Sequence, residues 1–168
     1  IMDTRKKAKP ITPIVSRSEN TDFEMLACSH DGFVPTFGLT HYRSLEMARD
    51  GMMLRGKDVM AAETEPDRAT FAKWIKANRK KGIPFDVHFH IAPDVQVELG
   101  MRDTAVTLTT PKGEIWILRA PNTLMTVQKS AYMQYGLLKP RATNQVVVSG
   151  GAINYEGVIE WTLTRLEA

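Results

Sequence analysis

The stretch "VHFHIAPDV", residues 87–95, holds two of the chain's four histidines, His88 and His90, one residue apart. In an extended strand, alternate residues share a face, so both imidazoles point one way while Val87, Phe89 and Ile91 point the other way into a core. A shared face is what joint metal or substrate binding requires. It is also what two ordinary polar-face residues would show. Two further groups of chemistry-bearing residues lie upstream: "SHDGFVPTFGLTHYRSLEM" carries His30, Asp31, His41 and Arg43, and "LRGKDVMAAE" carries Asp58. Together His41, Asp58 and His90 supply two imidazoles and one carboxylate from three strands expected to be neighbours, a set that suits zinc.

Other chemistries lack their residues. A cupin needs a glutamate just after its H-x-H and a later histidine, but the next carboxylates here are Asp94 and Glu98, and no histidine follows His90. There is no G-x-S-x-G and no H-E-x-x-H. A single cysteine, Cys28, excludes an internal disulfide framework and a multi-cysteine zinc site. Its apolar setting, "MLACSHDG", predicts a buried, inert thiol.

The elements that must position these residues are mostly strands. In "GVIEWTLTR", Ile159, Trp161 and Leu163 alternate with Glu160, Thr162 and Thr164; in "TAVTLTT", Val106 and Leu108 alternate with Thr107 and Thr109. "GEIWILR" and "NQVVVSG" are continuous apolar runs of strand length, predicted to be covered on both sides. Turn signals at "TPKGE", "RAPN", "KPRATN" and "SGGAINYEG" separate them. The exception is "TEPDRATFAKWIKANRKKGIP", where Phe71, Trp74, Ile75 and Asn78 recur at helical spacing, with Thr64 as cap, Pro66 in the first turn, and Gly82 and Pro84 as the stop. The expected fold is therefore all-β, an antiparallel β-sandwich with one short inserted helix lying on it.

With 43% hydrophobic and 24% charged residues among 168, the composition is that of one globular domain, expected over 20–168 behind an aperiodic arm or linker at 1–19. The net charge of +3 is concentrated in "RKKAK" and at Arg79 to Lys81. It is compatible with an acidic polymer as partner and equally with a solvated surface. No aromatic residues interleave the basic runs, so nucleic acid is not expected as a partner. No apolar run reaches membrane-spanning length and the polar start is not a signal peptide, so no membrane association is expected.

The segments "SHDGFVPTFGLTHYRSLEMARDGMMLRGKDVM", "VHFHIAPDV", "GEIWILR", "QVVVSGG" and "IEWTLTR", in that order, resemble the C-terminal β-sheet region of heparinase II/III-like polysaccharide lyases over residues 20–166. The resemblance implies one part of a two-part enzyme whose N-terminal α/α toroid supplies a catalytic tyrosine. The implied reaction is β-elimination on a uronate-containing acidic polysaccharide such as a glycosaminoglycan. Without the toroid the chain is expected to be inactive, and no catalytic residue is assigned to it. The resemblance also implies zinc, in a structural role, held by His41, Asp58 and His90. Beside that set, three substrate-binding residues are expected from their own chemistry and place: Arg43, whose guanidinium fork matches a uronate carboxylate, His30, as a substitute for an absent catalytic histidine, and His88, as a neighbour facing the same cleft. Departures are His88, where relatives often carry arginine, Ala92, where they carry a second histidine, and Leu39, where some carry a catalytic histidine. Periplasmic or secreted localisation follows from the same resemblance. The alternative reading is a non-catalytic carbohydrate-binding or structural β-sandwich module.

Overall fold

The computed structural model describes residues 13–100, 102–133, 135–136 and 139–166. Its elements are β1 (Ile14–Glu19), β2 (Phe23–Phe33), α1 (Val34–Phe37), β3 (Leu39–Ala48), β4 (Met53–Ala61), α2 (Glu65–Asn78), β5 (Ile83–His90), β6 (Gln96–Leu99), β7 (Ala105–Thr109), β8 (Ile115–Arg119), β9 (Met125–Tyr132), β10 (Arg141–Ala152) and β11 (Glu156–Arg165). An antiparallel eight-stranded sheet runs β1-β2-β3-β4-β11-β8-β7-β6, and a second of three strands runs β5-β10-β9. The expected all-β sandwich is what forms. Residues 14–19, read from sequence as the end of an arm, hydrogen-bond along β2 as an edge strand, from Ile14 opposite Ser29 to Glu19 opposite Glu24. Residues 1–12 of that arm lie outside the described residues.

Period-two alternation produces the core. Ile159 and Trp161 on β11, Val106 and Leu108 on β7, and Leu118 on β8 face Val87, Val146, Val148 and Met125 from the smaller sheet. The last strand is inserted between β4 and β8, so the end of the chain stitches the two meanders of the large sheet together. Coverage differs for the two apolar runs. The central strand β10 buries Val146, Val147 and Val148 alike, as expected, whereas β8 leaves Ile115 exposed on the outer face, where no third layer covers it among the described residues.

The helix α2 begins where the sequence places it. Thr64 and Asp67 form a reciprocal capping box, satisfying two backbone N–H groups, and Pro66 sits in the first turn, where no intrahelical donor is lost. Its end differs: Arg79 takes the left-handed conformation and closes the helix three residues before Gly82, while Pro84 lies inside β5. Phe71 is buried against Leu39, Met60, Ile83 and Ala152, with Trp74 and Ile75 at the margin, a second small core beneath the helix. Asn78 does not pack; its side-chain amide donates to the Trp74 carbonyl. A second helix, the single turn α1, was not anticipated from the sequence.

One glycine leaves room for the Trp161 ring over β4. A Cβ on Gly56 would lie 2.1 Å from ring atoms of Trp161, directly across the β4–β11 ladder. Gly56→Ala is therefore expected to force the indole aside and to cost about 1–3 kcal/mol, the usual range for overpacking, read as a lower urea midpoint at unchanged slope.

Candidate functional site

The inward face of β2, β3 and β4 carries the candidate site. Register places His30 opposite His41, and Arg43 opposite Asp58, so three adjacent strands bring an imidazole pair, a guanidinium and a carboxylate together. The smaller sheet covers the other half of the large one. On β2, Leu26 is still 38% exposed and Cys28 half-buried, so the expected buried thiol is not found. The result is a shelf with its polar residues at the boundary between covered and open surface.

Asp58 is the fixed point of this group. It is fully buried, and its Oδ1 accepts from His41 Nε2 at 2.8 Å and Arg43 Nε at 2.7 Å, while its Oδ2 accepts from Trp161 Nε1 at 3.1 Å. Burial by itself raises the carboxyl pKa, but the bonds from His41, Arg43 and Trp161, with the charge of Arg43, outweigh it and hold the group below its ordinary value. Asp58 is thus an anion at neutral pH.

Proton positions along the imidazoles follow from the one donor that cannot change. The Gly32 amide donates to His30 Nδ1 at 3.2 Å, so a neutral His30 carries its proton on Nε2. That nitrogen faces His41 Nδ1 at 3.1 Å and donates to it, which leaves the His41 proton on Nε2, aimed at Asp58. Both nitrogens of both rings are engaged. Burial first, then the neighbouring His41, lower the pKa of His30, with Asp31 acting in the opposite sense.

The remaining expected residues lie elsewhere. On β5 the inward position is Phe89, whose ring meets Trp161 edge-to-face at 4.8 Å; His88 and His90 stand on the outer face of the smaller sheet. His88 Nδ1 donates to Gln145 Oε1 at 3.3 Å, His90 Nδ1 bonds Ser130 Oγ at 3.0 Å, and the two rings lie near parallel, 6.4 Å apart. The structure therefore brings His30, His41, Arg43 and Asp58 together and separates them from His88 and His90. Strand β5 belongs to the other sheet and is not a neighbour of β3 and β4. The implied zinc set does not fit as arranged. Zinc needs lone pairs converging on one point, but His41 Nε2 carries a proton toward Asp58, and His90 faces away from both. Among the described residues no group of three or more His, Cys, Asp or Glu is disposed to hold a metal ion. Tyr42, beside His41 in the chain, points to the opposite face. Its hydroxyl donates to Glu63, and that bond, with burial and the Glu63 charge, pushes its pKa up to about 12. It is no base at neutral pH.

Trp161 is the member of the site that sequence reasoning placed only in the core. Its alternation in "IEWTLTR" marked it as inward, and a buried indole N–H needs an acceptor, which Asp58 provides.

Residues 2–162 match the family model described as "Heparinase II/III-like, C-terminal". The chain belongs to that family. The heparan sulfate lyase HepC of Pedobacter heparinus superposes with a TM-score of 0.71 at 12% identity, covering 93% of this chain and 22% of that one. A crystal structure of heparinase III gives 0.69 at 9% identity, over 97% of this chain and 22% of that chain. At such identities the likeness is one of fold. In sequence, "FtsZ-localized protein C" of Caulobacter vibrioides is 28% identical over 139 residues, 82% of this chain and 23% of its own length. The chain thus spans about a quarter of the relatives it matches.

Two measurements check the site. Trp161→Phe keeps the ring and removes one donor to a buried anion, an expected loss of about 1–3 kcal/mol in chemical denaturation, beyond that of repacking. The second is a pH series. A histidine whose folded pKa lies below 6.5 stays neutral in the fold while the unfolded chain binds a proton. Its contribution is complete above 6.5 and is lost as pH falls below that value. Stability is therefore expected to decline as pH falls below 6.5 toward the lowered folded value, and His30→Ala to flatten that decline. Asp58, also lowered, acts in the same sense at lower pH: its contribution is complete above its ordinary value of 3.8 and is lost as pH falls through the folded value.

Proposed function

We propose that this chain is the C-terminal β domain of a lyase that cleaves uronate-containing acidic polysaccharide by β-elimination, and that Arg43 contacts the uronate carboxylate. The observation that carries this reading is the state of Arg43. Its Nε is tied to buried Asp58, yet the side chain remains 37% exposed at the open edge of the shelf. A guanidinium held by one edge is pre-oriented, and its Nη edge matches a carboxylate in a two-pronged geometry that lysine lacks. In the elimination, a base removes the C5 proton, negative charge builds on the adjoining carboxylate, and the 4-linked oxygen leaves. A fixed guanidinium stabilises that developing charge.

Within this reading the chain supplies charge stabilisation and a cleft wall, and the base comes from elsewhere. His41 has no nitrogen free to accept a proton, and Tyr42 holds its own. An α/α toroid upstream would supply the tyrosine, and placement in the periplasm or outside the cell goes with a polymeric glycan substrate. His30 acts through His41, orienting it toward Asp58. Zinc forms no step in this mechanism.

A second reading, a non-catalytic carbohydrate-binding or structural module, draws support from the Caulobacter relative, which is named for its localisation to FtsZ. Calorimetric titration with heparan-type and alginate-type oligosaccharides separates the two in part. Binding is expected, weakened by Arg43→Ala roughly tenfold to a hundredfold, the loss of a charge-assisted contact worth about 1.5–3 kcal/mol. Joining the chain to a family toroid should then yield the absorbance of unsaturated product. Binding without product favours the module reading. No binding to any uronate polymer removes Arg43 as a carboxylate contact.

A further inference from the structure

The donor set around Asp58 carries an inference about charge that the family resemblance does not. Oδ1 of Asp58 already faces a permanent cation, the Arg43 guanidinium, at 2.7 Å. Among the described residues the only other ligand-type group on that oxygen, His41 Nε2 at 2.8 Å, presents a proton. The proton is held there by a relay whose far end is a backbone amide: Gly32 N–H to His30, His30 to His41, His41 to Asp58. Turning the His41 lone pair toward Asp58 would place its proton on Nδ1, against the Nε2–H of His30. His30 cannot shift its own proton in response, because Nδ1 faces the Gly32 N–H. A metal entering beside Asp58 would therefore meet a guanidinium within contact range, a protonated nitrogen, and a second carboxylate oxygen already bonded to Trp161.

We propose that Arg43 is a built-in counter-cation that takes the place of a metal ion on Asp58, and that His30 sets the relay that keeps His41 closed to metal. The site is then an organic ion-pair clasp across β2, β3, β4 and β11. The carboxylate receives from side chains the charge and directionality that a divalent cation would provide, and the fold needs no metal loading. Arg43 does this with one edge and leaves its other edge for solvent or ligand, whereas a metal would be neutralised inside the sheet.

The test uses the tag-free chain, incubated with zinc chloride, dialysed and analysed for metal, with thermal melts in zinc and in chelator. The unaltered chain is expected to melt at the same temperature in both. Any zinc it retains is expected to survive Asp58→Ala and to be lost when the exposed pair is removed by His88→Ala with His90→Ala. Combining His30→Ala with Arg43→His frees the His41 tautomer, replaces the cation with a third ligand-type side chain opposite Asp58 and so completes a histidine, histidine, aspartate set. In the background lacking His88 and His90, this variant is expected to gain a zinc-dependent rise in melting temperature that Asp58→Ala abolishes. Stoichiometric zinc in the unaltered chain that Asp58→Ala removes would overturn the proposal. So would a folded double variant that gains no zinc response, since Arg43 and His30 would then not be what excludes the metal. Should the double variant not fold, the metal content and chelator response of the unaltered chain decide.

Discussion

Asp58 has been taken wholly out of water, and an uncompensated carboxylate in that position costs several kcal/mol. Much of the architecture around it can be read as compensation. Three donors reach it from β3 and β11, and the strand that carries it is central in the large sheet. Two of those donors are bound in turn: His41 by His30 on β2, and Trp161 by its fit over Gly56 on the same strand as Asp58. One carboxylate thus ties four adjacent strands, β2, β3, β4 and β11.

The position of this clasp, at the edge of the area covered by the smaller sheet, gives it a chemical surface. Toward the covered side lie Trp161 and Phe89, continuous with the apolar core. Toward the open side lie Arg43 and His30, with part of their surface in solvent. An ion pair with one member buried and the other half-exposed fixes the exposed member's orientation. The buried carboxylate supplies rigidity, and the guanidinium is the part a ligand could reach. That division of labour suits the charge-stabilising role proposed for Arg43. The same geometry also suits a module that only binds.

The imidazoles show how burial sorts identical side chains into different roles. His30 and His41 lie in a directional chain that begins at a peptide amide, and neither has a nitrogen left for a new partner. His88 and His90 each use Nδ1 for a side chain on β10 or β9 and stand on an exposed face. What distinguishes the pairs is which face of which sheet they occupy.

The sequence by itself determined the local terms. Alternation in "GVIEWTLTR" and "TAVTLTT" named the inward residues, Thr64 and Pro66 marked the helix start, and the ordered segments disclosed the family, because periodicity and capping depend on neighbours a few residues away. Period two also put His88 and His90 on one face and Phe89 on the other, so the outward placement of the pair was legible. Which sheet β5 would join was not, since strand pairing is set by contacts distant in sequence. Only the tertiary structure decided that β5 pairs with β10, taking His90 away from His41 and Asp58, and that β11 returns beside β4, bringing Trp161 to the buried carboxylate. Arg43 was visible as a carboxylate-binding candidate. Its commitment to Asp58 appeared only when register set the two residues opposite each other, because in a sheet a partner is defined by position across the ladder and not by distance along the chain.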